Sequence, residues 1–239
     1  MFAIFIKFET SLTHITIMKD IINQFKIKKT RLLNWDYSKP GIYFITFETY
    51  HHIQYFGEII DGKMISNKIG EVATQEFFKT FMMRPTWQCG AFSIMPNHLH
   101  AIIIINEQNV PQNVQINCYH CNELKQKKIC PLTAVELQSI PGTKESKKKN
   151  QLFRQPRSIS SFAAGYKAAV INHINTVIDM DADKSLLKFN KKRPLWQSNF
   201  RDHIIKNQYE YDEIEQYIAE NELNWQDDCF NNTIKKKIQ

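Results

Sequence analysis

Glycine is scarce in this chain, with seven residues among 239. None falls into a Gly-rich phosphate loop, a dinucleotide fingerprint or a Gly-x-Ser-x-Gly nucleophile elbow, which removes three common sources of chemistry. Long apolar runs are also missing, and nothing approaches the roughly 20 residues that span a bilayer. The opening "MFAIFIKFE" is greasy, but no basic residue precedes it and no small-residue cleavage site follows. A secretory signal is therefore not expected, nor is a membrane partner. Cysteines number five, an odd count that predicts a reduced, cytoplasmic setting. Acidic residues are outnumbered 24 to 31, for a net charge of +7 that suits phosphate-rich partners.

The basic residues are grouped in Lys26–Arg31, Lys144–Asn150, Lys188–Pro194 and Lys235–Lys237. Each group on its own reads more simply as a solvated loop or end. Cys118, Cys121 and Cys130, with His120 among them, approach a zinc pattern but lack an evident fourth ligand. Free thiols in a loop are the plainer reading. "DMDADKS" (Asp179–Ser185) imitates the start of a calcium loop, yet Lys184 stands where the sharp turn needs glycine. It reads as a polar loop.

What remains is a chain 43% hydrophobic and 12% aromatic, enough for one substantial core. Residues 1–30 are weakly patterned and read as an N-terminal extension. "GIYFITFET" (Gly41–Thr49) is a β-branched and aromatic run bounded by "SKPG". "QYFGEIIDGKMISN" (Gln54–Asn67) predicts a hairpin turning at Asp61-Gly62. A helix is expected from about Lys68 to Met83, capped by Ser66 or Asn67 and ended by Pro85. Strands follow at Thr86–Met95, with Cys89 as a small buried residue, and at His98–Ile105, joined by Pro96-Asn97. Residues 107–157 hold several prolines, the cysteine group and a lysine run. A patternless stretch that long predicts an inserted segment that is functional or disordered. Helices return at Ser158–Asn175, where His173 reads as an ordinary helix-face histidine, and from about Gln208 to Asn221. Residues 228–239 form a basic tail. The element order predicts an α+β fold with helices packed on an antiparallel sheet, a ferredoxin-like βαββαβ core being the natural candidate.

Two places carry chemistry. In "HLHAIIII" the alternation of a strand puts His98 and His100 on one face and Leu99 on the other. Such a pair either caps the edge of a core or holds something between its rings. The last helix, "NQYEYDEIEQYIAENELNW" (Asn207–Trp225), has an apolar stripe through Tyr211, Ile214, Tyr217, Ile218, Asn221 and Trp225. Asn221 is the odd member, because a buried amide needs partners. Tyr217 and Asn221, one turn apart, can address one spot. Two imidazoles and an amide oxygen would suit Mg²⁺ or Mn²⁺ carrying phosphate oxygens, with a phenol as nucleophile. A tyrosine on an apolar stripe is more often core than catalyst, and Tyr209 and Tyr211 compete for the role.

With these residues in view, the chain resembles the REP-associated tyrosine transposases, a group within the single-tyrosine HUH transposases. The likeness runs from about Arg31 to Asp227 and is interrupted at 107–157. It is carried by "DYSKPGIYFITFET", "FGEIIDGKMISNKIGEV", "IMPNHLHAIIII", "SISSFAAGYKAAVINHIN" and "LWQSNFRDHIIKNQYEYDEIEQYIAENELNW". "MPNHLH" matches the family's His-hydrophobic-His signature, accompanied by the Trp-Gln opening and the late Tyr-Ile-x-x-Asn. The family often has an aromatic pair where Phe200-Arg201 stands here, the long Cys/Lys-rich insertion is unusual for it, and the first 30 residues have no counterpart.

The resemblance implies an HUH nuclease core with a C-terminal catalytic helix, acting on single-stranded or hairpin DNA. His98 and His100 match the metal-binding histidines, Tyr217 the nucleophile and Asn221 the polar metal ligand. Cleavage would leave a 5′-phosphotyrosine and a free 3′-hydroxyl, so that strands can be rejoined without an external energy source. Lys167, Arg201, His203 and Lys206 fall in matching segments as DNA backbone contacts. The implied cofactor is Mg²⁺ or Mn²⁺, and a homodimer is a further expectation. Two alternatives stay open: a domesticated, non-catalytic nucleic-acid binder, and a metal-dependent phosphoesterase that uses water.

Overall fold

In the computed structural model, β1 (Gly41–Glu48) is buried along almost its whole length because both its faces are covered. Tyr43, Ile45 and Phe47 enter the larger core, whereas Phe44 enters a second cluster on the opposite side. A strand buried on both faces loses the apolar/polar alternation of a half-exposed one, which is why "GIYFITFE" reads as a continuous run. Residues 35–111, 156–180 and 187–231 are the ones described. The N-terminal extension, the Cys118/Cys121/Cys130 group, most of the insertion and residues 232–239 of the tail lie outside them.

A short 3₁₀ turn (Tyr50–His52) leads to the hairpin of β2 (Gly57–Ile60) and β3 (Lys63–Ser66). Asp61 and Gly62 both have positive φ, the geometry a tight two-residue hairpin demands. Helix α1 (Lys68–Met82) starts where the Asn67 side chain accepts the backbone N–H groups of Ile69 and Gly70. Then come β4 (Trp87–Met95), β5 (His98–Ile105), α2 (Ile159–Met180), β6 (Arg201–Ile205) and α3 (Gln208–Glu220). The main sheet has the order β4-β5-β1-β6, antiparallel throughout. Leaving out the separate β2–β3 hairpin, this is the βαββαβ ferredoxin-like connectivity that the element order predicts.

Helices α1 and α2 pack together on one face of the sheet, over Leu99, Ala101, Ile103 and the odd-numbered residues of β1. Helix α3 covers the other face, where Ile214 and Ile218 meet Phe44, Ile102 and Ile205. A bulge between Cys89 and Phe92 reverses the alternation of β4. Cys89, Phe92 and Ile94 therefore all reach the α1/α2 core, while Ser93 and Met95 pair with His100 and His98.

Two features differ from the expected elements. Strand β6 has no signal of its own in the sequence: its five residues "RDHII" bury only the two isoleucines, too short and polar a pattern to reveal an edge strand. Helix α2 runs five residues beyond Asn175, because Ile174 and Ile178 continue its buried stripe. Among the described residues, no helix is long and apolar enough to cross a membrane.

Candidate metal and nucleophile site

His98 and His100 both point from β5 toward α3, their ring centroids 4.6 Å apart, and both are buried. Each Nδ1 is occupied by a neighbour. Thr46, paired with His100 across β1, places its Oγ1 2.8 Å from His100 Nδ1. Asn97, in the β4–β5 turn, accepts the His98 Nδ1–H at 2.8 Å. With Nδ1 protonated, each ring presents an Nε2 lone pair, as metal-binding imidazoles do.

Ile214 and Ile218 seat α3 on the sheet, and the same geometry delivers Tyr217 and Asn221 to the histidines. The Tyr217 hydroxyl lies 3.2 Å from His100 Nε2, and its ring meets Phe44 edge-on. The competing tyrosines are elsewhere: Tyr209 is exposed, and the Tyr211 hydroxyl donates to Glu215 at 3.4 Å beside β4. Asn221 is buried at the end of α3, its Nδ2 3.5 Å from Asp228 Oδ2.

Asp228 is the functional candidate that the sequence concealed. A 3₁₀ turn (Trp225–Asp227) brings the chain back across the histidines, with Trp225 and Phe230 against the His98 ring. Asp228 Oδ1 accepts the Phe230 N–H, leaving Oδ2 3.8 Å from His98 Nε2. His98, His100 and Asp228 each offer one ligand atom, and these atoms lie within 4.8 Å of one another. Asp228–Asn231 thus pack on the core, although the sequence places them in the tail. A lone acid after a helix end carries no periodicity, so only the folded chain brings it into view.

Burial makes this a site of neutral imidazoles. His98 is pushed down to about 3 by desolvation and by the neighbouring His52 and Arg201, with the Asn221 amide offsetting part of the shift. His100 is lowered well below its usual value, again chiefly by burial. The Tyr217 phenol is raised well above its ordinary value by burial and then by the Asp228 carboxylate. At the site, His98 Nε2 and Asn221 Oδ1 are buried and make no hydrogen bond of ordinary geometry. Two imidazoles, a carboxylate and an unsatisfied amide oxygen fit a divalent cation, which satisfies all of them at once.

The four basic residues expected to face DNA are placed differently from one another. Lys167 donates to the carbonyls of Gln197 and Asn199 at 2.7 and 2.8 Å, over the Phe47 and Trp196 rings. Its ammonium, largely desolvated, is lowered to about 8. Arg201 pairs with Glu48 and lies over Phe230, and His203 pairs with Glu210. Lys206 is exposed. His173 binds Glu76 across the α1/α2 contact, far from any chemistry.

No protein-family model matches the chain. An uncharacterized protein of Haemophilus influenzae is 29% identical over 206 residues, 84% of this chain and 91% of its own length. A solved structure of a REP-associated tyrosine transposase bound to a REP hairpin overlaps 82% of this chain and 74% of its own, at 14% identity and a TM-score of 0.44. At that distance no residue role transfers from one to the other.

Proposed function

We propose that this protein is a metal-dependent single-stranded DNA nuclease and strand transferase of the single-tyrosine HUH kind, working beside hairpin or repeat DNA. The observation that carries the reading is the Tyr217 hydroxyl 3.2 Å from His100 Nε2, next to a second neutral histidine and a carboxylate. Sequence motif and geometry agree: the residues that match the transposase signature are the ones that meet. His98, His100 and Asp228 would hold the cation, with Asn221 as a further oxygen ligand. The mixed nitrogen and oxygen set admits Mg²⁺ and favours Mn²⁺.

When bound, the ion supplies charge to polarise the scissile phosphodiester. The chain supplies the rest. The Tyr217 hydroxyl lies on His100 Nε2, the nitrogen that would hold a cation, so a bound cation would compete for the nitrogen that now holds the phenol. Tyr217 then attacks phosphorus, a Tyr–O–P bond forms and the P–O3′ bond breaks. The phenol proton balances the departing 3′-oxygen, giving a 3′-hydroxyl and a 5′-phosphotyrosine. Attack by another 3′-hydroxyl reverses the step and joins strands. Trp225 and Phe230 shield the histidines from water, which favours transfer over hydrolysis. Of the four basic residues, Lys206, exposed just before α3, is the one best placed to meet a backbone phosphate, and Arg201 is close enough to act on both histidines.

The test is cleavage of end-labelled hairpin DNA with a single-stranded flank, with Mn²⁺ and with chelator. Cleavage should appear only with the metal. Equal cleavage with chelator, or none with any hairpin substrate, rejects the proposal.

A further inference from the structure

Asn97 is fully buried, and its side chain makes three hydrogen bonds, to its neighbour His98 and to two distant segments of the chain. Its Nδ2 donates to the His52 carbonyl at 3.1 Å and to the Phe230 carbonyl at 2.8 Å, while its Oδ1 accepts the His98 Nδ1–H at 2.8 Å. Two carbonyls can only accept, so together they fix which end of the amide is Nδ2. That leaves Oδ1 facing His98, and an oxygen there requires the proton to sit on Nδ1.

We infer that Asn97 is the positioning residue of the metal site, fixing the His98 tautomer and holding the Asp228-bearing segment over it. The inference rests on the proposed metal-site reading and adds to it the group that preorganises the ligands. The coupling is direct. The amide group that orients the imidazole also grips Phe230, two residues after Asp228, and the Phe230 ring lies tilted against His98 at 4.5 Å. With the proton held on Nδ1, His98 Nε2 meets Asp228 Oδ2 at 3.8 Å as one acceptor facing another. That arrangement is repulsive when empty and resolved by a cation, so Asn97 makes the pocket selective for a positive charge. Nδ2 also ties in His52, which has a left-handed backbone (φ 54°), a strained conformation held by surrounding bonds. The Thr49 hydroxyl, donating to the Asn97 carbonyl at 2.9 Å, anchors that turn from the other side.

The experiment reads the His98 tautomer by long-range ¹H–¹⁵N correlation in the metal-free protein, and Mn²⁺ affinity by calorimetry. The wild type should show His98 protonated on Nδ1. Asn97→Ala should mix the tautomers and weaken Mn²⁺ binding about 10–100-fold, the usual effect of removing a group that orients a ligand. Asn97→Asp keeps an oxygen against Nδ1 but loses both donors. It should retain the tautomer while the Phe230 amide exchanges faster with solvent. Should Asn97→Ala not fold, the wild-type tautomer and the Asn97→Asp variant still decide. His98 protonated on Nε2 in the wild type, or wild-type tautomer and affinity in Asn97→Ala, overturns the inference. A wild-type protein that has the Nδ1–H tautomer but binds no Mn²⁺ instead rejects the metal site itself.

Discussion

At the scale of single residues, the site depends on which acceptors are left bare when the chain folds. His98 Nε2 and Asn221 Oδ1 are buried without a hydrogen bond of ordinary geometry, and Asp228 adds a carboxylate beside them. Replacing Asp228 by Ala should lower Mn²⁺ affinity at least tenfold in a calorimetric titration while the far-ultraviolet spectrum stays that of the wild type. Unchanged affinity would remove Asp228 from the ligand set. The histidine pair was legible in sequence because strand alternation fixes which side chains share a face. The stripe through Tyr217 and Asn221 was legible for the same kind of reason, a helical period. Asp228 obeys neither rule, since it reaches the pocket through an irregular return of the chain. Lys167, Arg201 and His203 illustrate the converse: a basic residue in sequence looks free, but here each has a partner within the protein.

At the scale of elements, close approach matters more than propensity. The first turn of α1 lies against the backbone of Phe56, and a Cβ on Gly70 would stand 2.2 Å from the Phe56 carbonyl oxygen. Gly70→Ala would gain helix propensity yet must push α1 away from the hairpin. It should destabilise the protein by about 1–3 kcal/mol, the usual range for overpacking, measured by urea denaturation. A neutral or stabilising result would mean that this contact is not held. The hairpin, α1, β4 and β5 could be read from sequence because turn residues, caps and apolar periods coincide at their ends. Strand β6 could not, since an edge strand draws its definition from β1 rather than from its own residues.

At the scale of the whole molecule, the sheet separates a structural layer from a chemical one. Helices α1 and α2 cover one face, and α3 with the 225–231 return covers the other. Burying two imidazoles in the chemical layer has a consequence for stability. Both have folded-state values below the unfolded value of about 6.5. As pH falls below that, the unfolded chain takes up protons first, so stability declines from about pH 6.5 toward about pH 3, where His98 titrates. Urea midpoints at pH 7 and pH 5 should show the loss, and His98→Asn should make the slope shallower. A slope unchanged in that variant would place the acid sensitivity elsewhere. The overall architecture was the most legible level of all, because the order of elements alone restricts an α+β chain to few sheet topologies. What sequence left open was which elements close over the histidines.

The account turns on one phenol acting as a nucleophile rather than as packing. Incubating the protein with Mn²⁺ and a labelled single-stranded hairpin substrate, then denaturing it, should leave DNA attached to a peptide containing Tyr217, as identified by mass spectrometry. Tyr217→Phe should bind Mn²⁺ as the wild type does and form no adduct. A covalent adduct persisting in Tyr217→Phe, or efficient cleavage by the wild type with none ever detected, would contradict the account.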